Sequence, residues 1–341
     1  MRTMNILLVQ VSYVGDSVLS TPVISGIRQL FPDARLTLMT TPGSYPLFKL
    51  DPRIDELIVF DKRGSEKGIK GMLNKAGALK AKQFDRVYSL HRSYRTAVLL
   101  FLARIPERIG FSDASLKFLY SRRSERIMDR HAVISNLSLL FGDDMESRFE
   151  KKLKLHAPAF EALNPDTREL IHGLSDRYAV ISPGSVWATK IWHVQGFIET
   201  AKFLSERGFN IVLTGSPDDR DLCRKISDQV ETVDLSGRIP ISDTMYIIKH
   251  SRLVVCNDSM ALHMGSAFQT PTVAVFCATS PSTGFGPWEN PKARVVQDDT
   301  LPCKPCGRHG SMKCPNGTEA CMTVPAEQVV EAITDVLELK P

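Results

Sequence analysis

Short apolar runs alternate along this chain with segments whose apolar residues recur every three or four positions. In the first half, apolar runs that predict strands buried on both faces of a parallel sheet lie at residues 5–11, 35–39, 57–60 and 85–90. Helical spacing follows the first run, from Val18 to Leu30, and returns at 96–103. This alternation predicts a doubly wound α/β domain, whose ligands bind at the carboxyl ends of the strands.

The same alternation restarts in the second half. Its predicted strands are residues 178–182, 209–214, 252–257 and 272–276. Between the halves, Pro158, Pro165 and Gly173 interrupt the pattern, as is typical of an interdomain connection. The predicted organisation is a first α/β domain at 1–156, a linker at 157–177, a second α/β domain at 178–324, and a C-terminal helix at 325–341.

The stretch 183–192 contains the first candidate chemistry. It follows the predicted strand at 178–182 and precedes a helical pattern that begins near His193, which predicts a strand, a turn at Gly184 and a helix. In that order, backbone N–H groups and the helix dipole would face an anion, and Lys190 would add a positive charge. A phosphate site and an ordinary connection with a solvated lysine both fit this stretch taken alone.

Polar residues also end the neighbouring strands. Ser185 could donate to phosphate oxygens, and Asp219 could accept from ribose hydroxyls. Asp258 and the helix start at Ser259–Ala261 would form a second cluster, whereas His263 is more typical of a packed histidine. In the first half, Asp16 lies after the first predicted strand, at the start of the first predicted helix. An aspartate there commonly caps a helix, and it could also act as a general base.

The charge of the chain is unevenly distributed. Residues 1–156 contain 26 Lys+Arg against 16 Asp+Glu, whereas the remainder contains 17 against 22. A basic half indicates a polyanionic partner, such as nucleic acid, a phosphorylated glycan or an anionic membrane surface. No nucleic-acid-binding motif accompanies the charge, so we do not expect nucleic acid as a partner. The segment 61–82, rich in Gly and Lys, predicts a mobile loop that closes over an anionic substrate.

Two further features concern compartment and metal. No apolar run approaches the roughly 20 residues that span a bilayer, and the N-terminus lacks the cleavage region of a signal peptide, so we expect the cytoplasm. Four cysteines lie close together, at Cys303, Cys306, Cys314 and Cys321. This group could bind zinc, but only one of its spacings is tight, so reduced thiols or a disulfide are favoured and no metal is expected.

In combination, these motifs resemble glycosyltransferase family 9, the lipopolysaccharide heptosyltransferases, over nearly the whole chain. The matching elements are Gly15-Asp16 with Thr21-Pro22, His91-Arg92-Ser93-Tyr94-Arg95, Arg108-Ile109-Gly110-Phe111, Pro183-Gly184-Ser185 with Lys190 and Trp192, and Asn257-Asp258-Ser259 with His263. The resemblance implies a GT-B fold, in which two Rossmann-like doubly wound domains face a central cleft. It also implies that the C-terminal helix packs back toward the first domain.

The activity implied by the resemblance is inverting transfer of a heptose from ADP-L-glycero-D-manno-heptose to the inner core of lipopolysaccharide, without a cofactor. Asp16 matches the catalytic base, and Lys190 matches the lysine that holds the donor diphosphate. The implied donor-binding residues are Ser185, Lys190, Asp219, Asp258, Ser259, Met260, Ala261 and His263. For the anionic lipid A–inner core acceptor, the expected residues are Lys62, Arg63, Lys67, His91, Arg92, Arg95, Arg122 and Arg123. Such an acceptor implies a peripheral contact with the inner face of the inner membrane.

Two alternatives stay open. The family usually has Gly where Met260 stands, which is compatible with another nucleotide-hexose donor on the same fold. A non-catalytic glycan- or nucleotide-binding protein is the second alternative, and the presence of both Asp16 and Lys190 argues against it.

Overall fold

The buried apolar runs form the central strands of two parallel sheets, one in each half of the chain. The computed structural model describes residues 3–142 and 144–338. The chain divides into two units, Met1–His156 and Ala157–Pro341.

The strands of the first unit form one parallel sheet. They are β1 (Asn5–Gln10), β2 (Arg35–Thr40), β3 (Glu56–Val59), β4 (Arg86–Ser89), β5 (Glu107–Phe111) and β6 (Arg122–Ser124). Within the described residues their order is β3-β2-β1-β4-β5-β6, with Leu8 of β1 paired between Leu38 and Tyr88. Because β1 and β2 have a neighbour on each side, their apolar residues are almost fully buried, as the sequence predicts.

Helices cover this sheet. They are α1 (Val14–Leu19), α2 (Thr21–Leu30), α3 (Tyr45–Phe48), α4 (Gly68–Ala81), α5 (Tyr94–Leu102) and α6 (Ala132–Leu137). Side chains of a strand alternate between its faces, and Leu7 and Val9 pack in one core with α4, α5 and residues 114–120. Helices α1, α2 and α6 pack against one another.

The second unit has the same sheet plan. Its strands are β7 (Tyr178–Ser182), β8 (Asn210–Leu213), β9 (Thr232–Asp234), β10 (Leu253–Asn257), β11 (Thr272–Val275) and β12 (Ala293–Val296). Over the part of the chain that is described, their order is β12-β11-β10-β7-β8-β9, again all parallel. Its helices are α7 (Pro165–Leu170), α8 (Val194–Glu206), α9 (Arg220–Ser227), α10 (Ile241–His250), α11 (Met260–Phe268) and α12 (Ala326–Val336). Both units therefore have the strand order 3-2-1-4-5-6 of a Rossmann-type sheet.

The expected mobile loop at 61–82 is wrong for most of its length. Residues 68–81 form α4, because Met72, Ala76 and Leu79 recur at helical spacing and pack on the sheet. The glycines of this segment mark its start and its exposed side, and they did not prevent helix formation.

The linker and the C-terminal helix both belong to the second unit. The carboxylate of Asp243 accepts hydrogen bonds from the Asn164 amide at 2.9 Å and the Thr167 hydroxyl at 2.6 Å, which fixes α7 against α10. Val329 and Ile333 of α12 are fully buried in the core of the second unit. The expectation that the helix packs toward the first domain stays a prediction, and residues 339–341 of that predicted helix lie outside the described residues. Among the described residues, no helix is both long and apolar enough to cross a membrane.

Candidate active site

The strand order of each sheet reverses at one point, between β1 and β4 in the first unit and between β7 and β10 in the second. Loops beside such a reversal diverge and leave a crevice in which ligands of open α/β sheets bind. Asp16 and His91 follow β1 and β4, whereas Lys190 and Asp258 follow β7 and β10. The most chemically informative residues of each half therefore lie at the two reversals.

In the second unit, Lys190 and Asp258 form a buried ion pair. The ammonium lies 2.6 Å from Asp258 Oδ2, and the two side chains are only 11% and 2% exposed. The Thr279 hydroxyl donates to the same Oδ2 at 2.7 Å, so this oxygen has two donors. Buried charges of this kind require a partner and hydrogen bonds, and both are present. Asp258, expected among the donor-binding residues, thus directly orients Lys190.

The loop that contains Lys190 differs from the expected strand, turn and helix. A single helical turn, Ala188–Lys190, lies between β7 and α8, and α8 begins only at Val194. The N-terminus of α8 is therefore ten residues or more from the turn at Gly184. Gly184 is still required sterically, since a Cβ atom there would clash with the carboxylate of Asp219.

Asn257, which the sequence analysis left out of the site, closes this loop. Its Nδ2 donates to the Pro183 carbonyl at 2.6 Å, and its Oδ1 accepts from the Trp192 amide at 3.0 Å. The side chain is fully buried, and the Trp192 indole in turn donates to Val324 O at 2.8 Å. The Asn257 side-chain amide thus joins both ends of the loop. The position of Asn257 directly before Asp258 is the feature of the sequence that could have indicated this role.

The start of α11 provides hydrogen-bond donors beside Asp258. Ser259 is its N-terminal cap, and within the described chain its buried hydroxyl oxygen has no hydrogen-bond partner. Met260 and Ala261 form the first turn, where backbone N–H groups lack partners within a helix. His263, one turn on, is buried in the helix.

Ser185 and Asp219 lie at the other side of this loop. Asp219 Oδ2 accepts from both the amide and the hydroxyl of Ser216, each at 2.7 Å, so that it caps the turn after β8. Its other oxygen faces Gly184, directly before the half-buried Ser185. Asp219 is therefore next to the loop, but one of its oxygens is committed to a cap.

The cysteine-rich segment, residues 303–321, packs against the loop that contains Lys190. The Thr189 hydroxyl donates to Ser311 O at 2.9 Å and accepts from the Ser311 amide at 2.8 Å. A Cβ atom on Gly310 would lie 3.0 Å from Lys190 Cγ. The segment thus contacts the residue that bears the charge and its neighbour.

The thiols themselves are free. All seven cysteines are unpaired, which agrees with reduced thiols and not with the disulfide alternative, and no group of three or more potential metal ligands occurs among the described residues. Burial raises the pKa of Cys321, whereas backbone N–H groups, first that of Glu319, lower the pKa of Cys314.

In the first unit, the predicted residues Lys62 and His91 belong to one hydrogen-bonded chain. The Lys62 ammonium donates to Val11 O at 2.6 Å and lies 3.2 Å from His91 Nε2, while His91 Nδ1 lies 2.7 Å from the Thr96 hydroxyl. An ammonium can only donate, so His91 Nε2 accepts and Nδ1–H donates to Thr96. Burial, then the charges of Lys62 and Arg92, lower the pKa of His91 to about 4. His91 is therefore a neutral spacer and not a cation.

The other basic residues divide into two groups. Arg95 donates to Lys62 O at 3.4 Å, and burial, then Arg63 and Arg95, lower the pKa of Lys62. These cations share the carboxyl edge of the sheet with Asp16, the third residue of α1. Lys67 is the exposed cap of α4, Arg92 pairs with Asp113 at 2.6 Å, and Arg123 is exposed on β6.

Arg122 does not belong with this cationic edge. It pairs at 2.9 Å with Glu107, the first residue of β5, which also pairs with Arg86 at 2.6 Å. These contacts are at the amino ends of the strands, away from Asp16. The structure thus separates Arg122 from the other predicted acceptor residues, and a single sequence does not show which end of a short edge strand a side chain faces.

Comparisons with known proteins agree with this arrangement. "Lipopolysaccharide heptosyltransferase 3" of Escherichia coli is 27% identical over 288 residues, covering 81% of this chain and 84% of that protein. The solved structure of a glycosyl transferase family 9 protein from Veillonella parvula superposes with a TM-score of 0.85 at 23% identity, covering 100% and 99% of the two chains. The structure of E. coli ADP-heptose lps heptosyltransferase II superposes with a TM-score of 0.77 at 22% identity, covering 98% of this chain and 99% of that chain. These heptosyltransferase structures show that the α/β fold is the GT-B fold.

The model of the family described as "Glycosyltransferase family 9 (heptosyltransferase)" matches residues 72–315. This range begins within α4, ends within the cysteine-rich segment and includes Lys190, Asn257 and Asp258. Because the match spans well over half of the chain, this protein belongs to glycosyltransferase family 9 and is a glycosyltransferase.

Proposed function

We propose that this protein transfers a heptose from ADP-L-glycero-D-manno-heptose to the inner core of lipopolysaccharide, with inversion at the anomeric carbon. The observation that carries the proposal is the buried Lys190–Asp258 pair at the strand reversal of the second unit, beside the first turn of α11. A charged lysine and unpaired N–H groups are suited to a diphosphate. Relatives named as heptosyltransferases support heptose as the sugar.

In the proposed reaction, the acceptor hydroxyl oxygen attacks the anomeric carbon and its proton passes to the Asp16 carboxylate. The bond between that carbon and the diphosphate oxygen breaks, and its electron pair leaves with ADP. Lys190 and the N–H groups of Met260 and Ala261 stabilise the growing negative charge. Ser185 and the Ser259 hydroxyl donate to the donor, while Asp219 and His263 shape the surrounding wall.

The acceptor is proposed to bind at the cationic edge of the first unit. Lys62, Arg63 and Arg95 provide positive charge there, while Lys67, Arg92 and Arg123 extend it outward. Such an edge fits the phosphate groups of lipid A and the inner core. The enzyme would then act in the cytoplasm, with a peripheral contact at the inner face of the inner membrane.

Another nucleotide-hexose donor is the second candidate. It is favoured by Met260, since a side chain at the first position of α11 changes the space next to the sugar. The test is transfer of labelled sugar to core lipopolysaccharide that lacks the heptose, with chelator present and with ADP-heptose, ADP-hexoses and UDP-hexoses compared in parallel. Transfer from ADP-heptose alone is expected. Transfer only from a hexose donor would establish the second candidate, and no transfer from any donor would overturn both.

A further inference from the structure

The outer surface of α4, α5 and the turn Lys117–Leu119 exposes an unusual set of large apolar side chains. We propose that this surface, termed the α4–α5 face, docks on an anionic phospholipid bilayer. It consists of the exposed residues Ile69, Leu73, Tyr94, Phe101, Leu102, Leu116 and Phe118. The proposal rests on the proposed function only in that a lipid-linked acceptor explains why such a surface is useful.

The apolar stripe of α4 is wider than the core that it covers. Ala76 and Leu79 are buried against the sheet, whereas Ile69 and Leu73, one turn apart on the flank of that stripe, are exposed. Ile69 is 74% exposed, so its side chain contributes little to packing against the sheet and presents apolar surface to the solvent.

From Ala97 to its end, helix α5 consists of apolar residues on all sides. Its inner side buries Ala97 and Leu100, and its outer side presents Tyr94 and Phe101, which lie two turns apart. A helix that is hydrophobic all round is usually buried on all sides, but here the outer side has no protein cover within the described residues. Helix α5 packs against both α4 and the turn Lys117–Leu119, where Phe118 is 72% exposed.

The charge of the same segments selects the partner. Residues 67–82, 94–104 and 114–120 contain no Asp or Glu. Their cations are Lys67, Lys70, Lys75, Lys80, Lys82, Arg95, Arg104 and Lys117. Lys67, Lys70, Lys80, Arg104 and Lys117 are exposed, whereas Lys75 pairs with Glu66 and Lys82 pairs with Glu56. Exposed apolar side chains with exposed lysine and arginine among them match the interface of an anionic bilayer, where the apolar groups enter the acyl boundary and the cations contact headgroups.

The face is continuous with the cationic edge. Helix α4 begins six residues after Lys62, and α5 begins three residues after His91. A surface docked through these helices would hold the cationic edge close to the headgroup region, where the sugars of a lipid-anchored acceptor begin.

The test is co-sedimentation of the full chain with vesicles of phosphatidylcholine alone or mixed with phosphatidylglycerol. Binding is expected only to the anionic vesicles, and it should weaken about tenfold or more between about 0.05 M and about 0.5 M salt, because Lys67, Lys70, Lys80 and Lys117 are exposed to the solvent ions. Ile69→Glu/Leu73→Glu and, separately, Phe118→Glu should each lower vesicle affinity by about tenfold or more. The matched control is Met145→Glu, which changes a side chain that is 68% exposed outside these segments and should bind as the wild type does.

Each outcome decides the proposal. Failure of the wild type to bind anionic vesicles overturns it, as does wild-type binding by the double variant. If the substitutions instead convert a dimer to a monomer in sedimentation and leave vesicle binding unchanged, the face joins two copies of the chain and the proposal is wrong. Transfer to a water-soluble, delipidated core acceptor separates this result from the proposed function, because the variants should retain wild-type turnover there.

Discussion

The two units share one strand order but hold charge at their strand reversals in opposite ways. In the second unit the cation Lys190 is buried against the carboxylate of Asp258. In the first unit Lys62 is held by a carbonyl and by neutral His91, and the charges that act on it most strongly are those of Arg63 and Arg95. The ion pair of the second unit fixes the direction of one charge, whereas the neighbouring cations of the first unit produce a positive electrostatic field. The same sheet thus supports a defined leaving-group contact in one unit and a broader anion-binding edge in the other.

The largest effect is expected at Asp16, the carboxylate within the positive edge. Asp16→Asn keeps the shape of the side chain but removes the base, so turnover should fall about 10²–10⁴-fold. ADP affinity, which depends on the second unit, should be unchanged in calorimetry. The control is Asp33→Asn, at an exposed position of the same unit, for which both quantities should match the wild type. Near-normal turnover by Asp16→Asn would show that Asp16 is not the catalytic base.

The next effect concerns the buried pair. Lys190→Met or Asp258→Asn alone leaves one buried group without its partner, which should lower the free energy of unfolding by about 3–5 kcal/mol. The double variant Lys190→Met/Asp258→Asn should recover much of that loss while ADP affinity stays about 10–100-fold weak. Denaturant unfolding and calorimetry separate the two quantities. Additive losses in the double variant would mean that the pair is not coupled.

The first unit should lose stability at acidic pH, because burial lowers the pKa of His91. The pKa of His91 is lowered to about 4 in the folded state and is about 6.5 when unfolded, so the unfolded state takes up the proton first. Stability is complete above about pH 6.5 and should fall on the order of 2–3 kcal/mol as the pH drops to about 4. His91→Gln should flatten this dependence in unfolding curves. Lys62→Met should raise the pKa of His91 in an NMR titration, and an unchanged pKa would contradict the contact between them.

The smallest effect tests the segment that packs on the second unit's loop. Gly310 and Gly317 have φ of +73° and +68°, but only the Gly310 Cβ would meet Lys190. Gly310→Ala and Gly317→Ala should each cost about 1 kcal/mol from the left-handed backbone. Only Gly310→Ala should also weaken ADP binding several-fold. Equal ADP affinity in the two variants would show that the segment does not position Lys190.

Much of this fold was readable from the sequence, because long central strands are continuous apolar runs. The predicted strands at 5–11 and 178–182 correspond to β1 and β7, whereas β5, β6, β9 and β12 were missed. Each of these short strands contains a charged residue, and most of their positions are not fully buried, so their sequences lack a long apolar run. Helix α4 was missed for another reason, since its glycines and lysines outweighed an apolar stripe of moderate width.

The site was predictable in its residue types and less so in its contacts. Lys190 and Asp258 were both identified, but their pairing joins positions 68 residues apart, and spacing in one chain does not encode such a contact. The roles of Asn257 and Ser311 were missed for the same reason. Conversely, Arg122 was grouped with the acceptor residues by charge alone, and only the strand register shows that it faces the opposite edge.

The Asn257 side chain determines when the loop from Pro183 to Trp192 loses its conformational entropy. A loop tied at Pro183 and Trp192 by one buried side chain loses its freedom when the chain folds, so a ligand arriving later meets a loop that is already ordered. Affinity at this loop is then linked to the integrity of β10, the strand that Asn257 ends. A substitution that creates a cavity within β10, far from any ligand atom, would weaken the hydrogen bonds of Asn257 and thereby lower the affinity of the loop for its ligand.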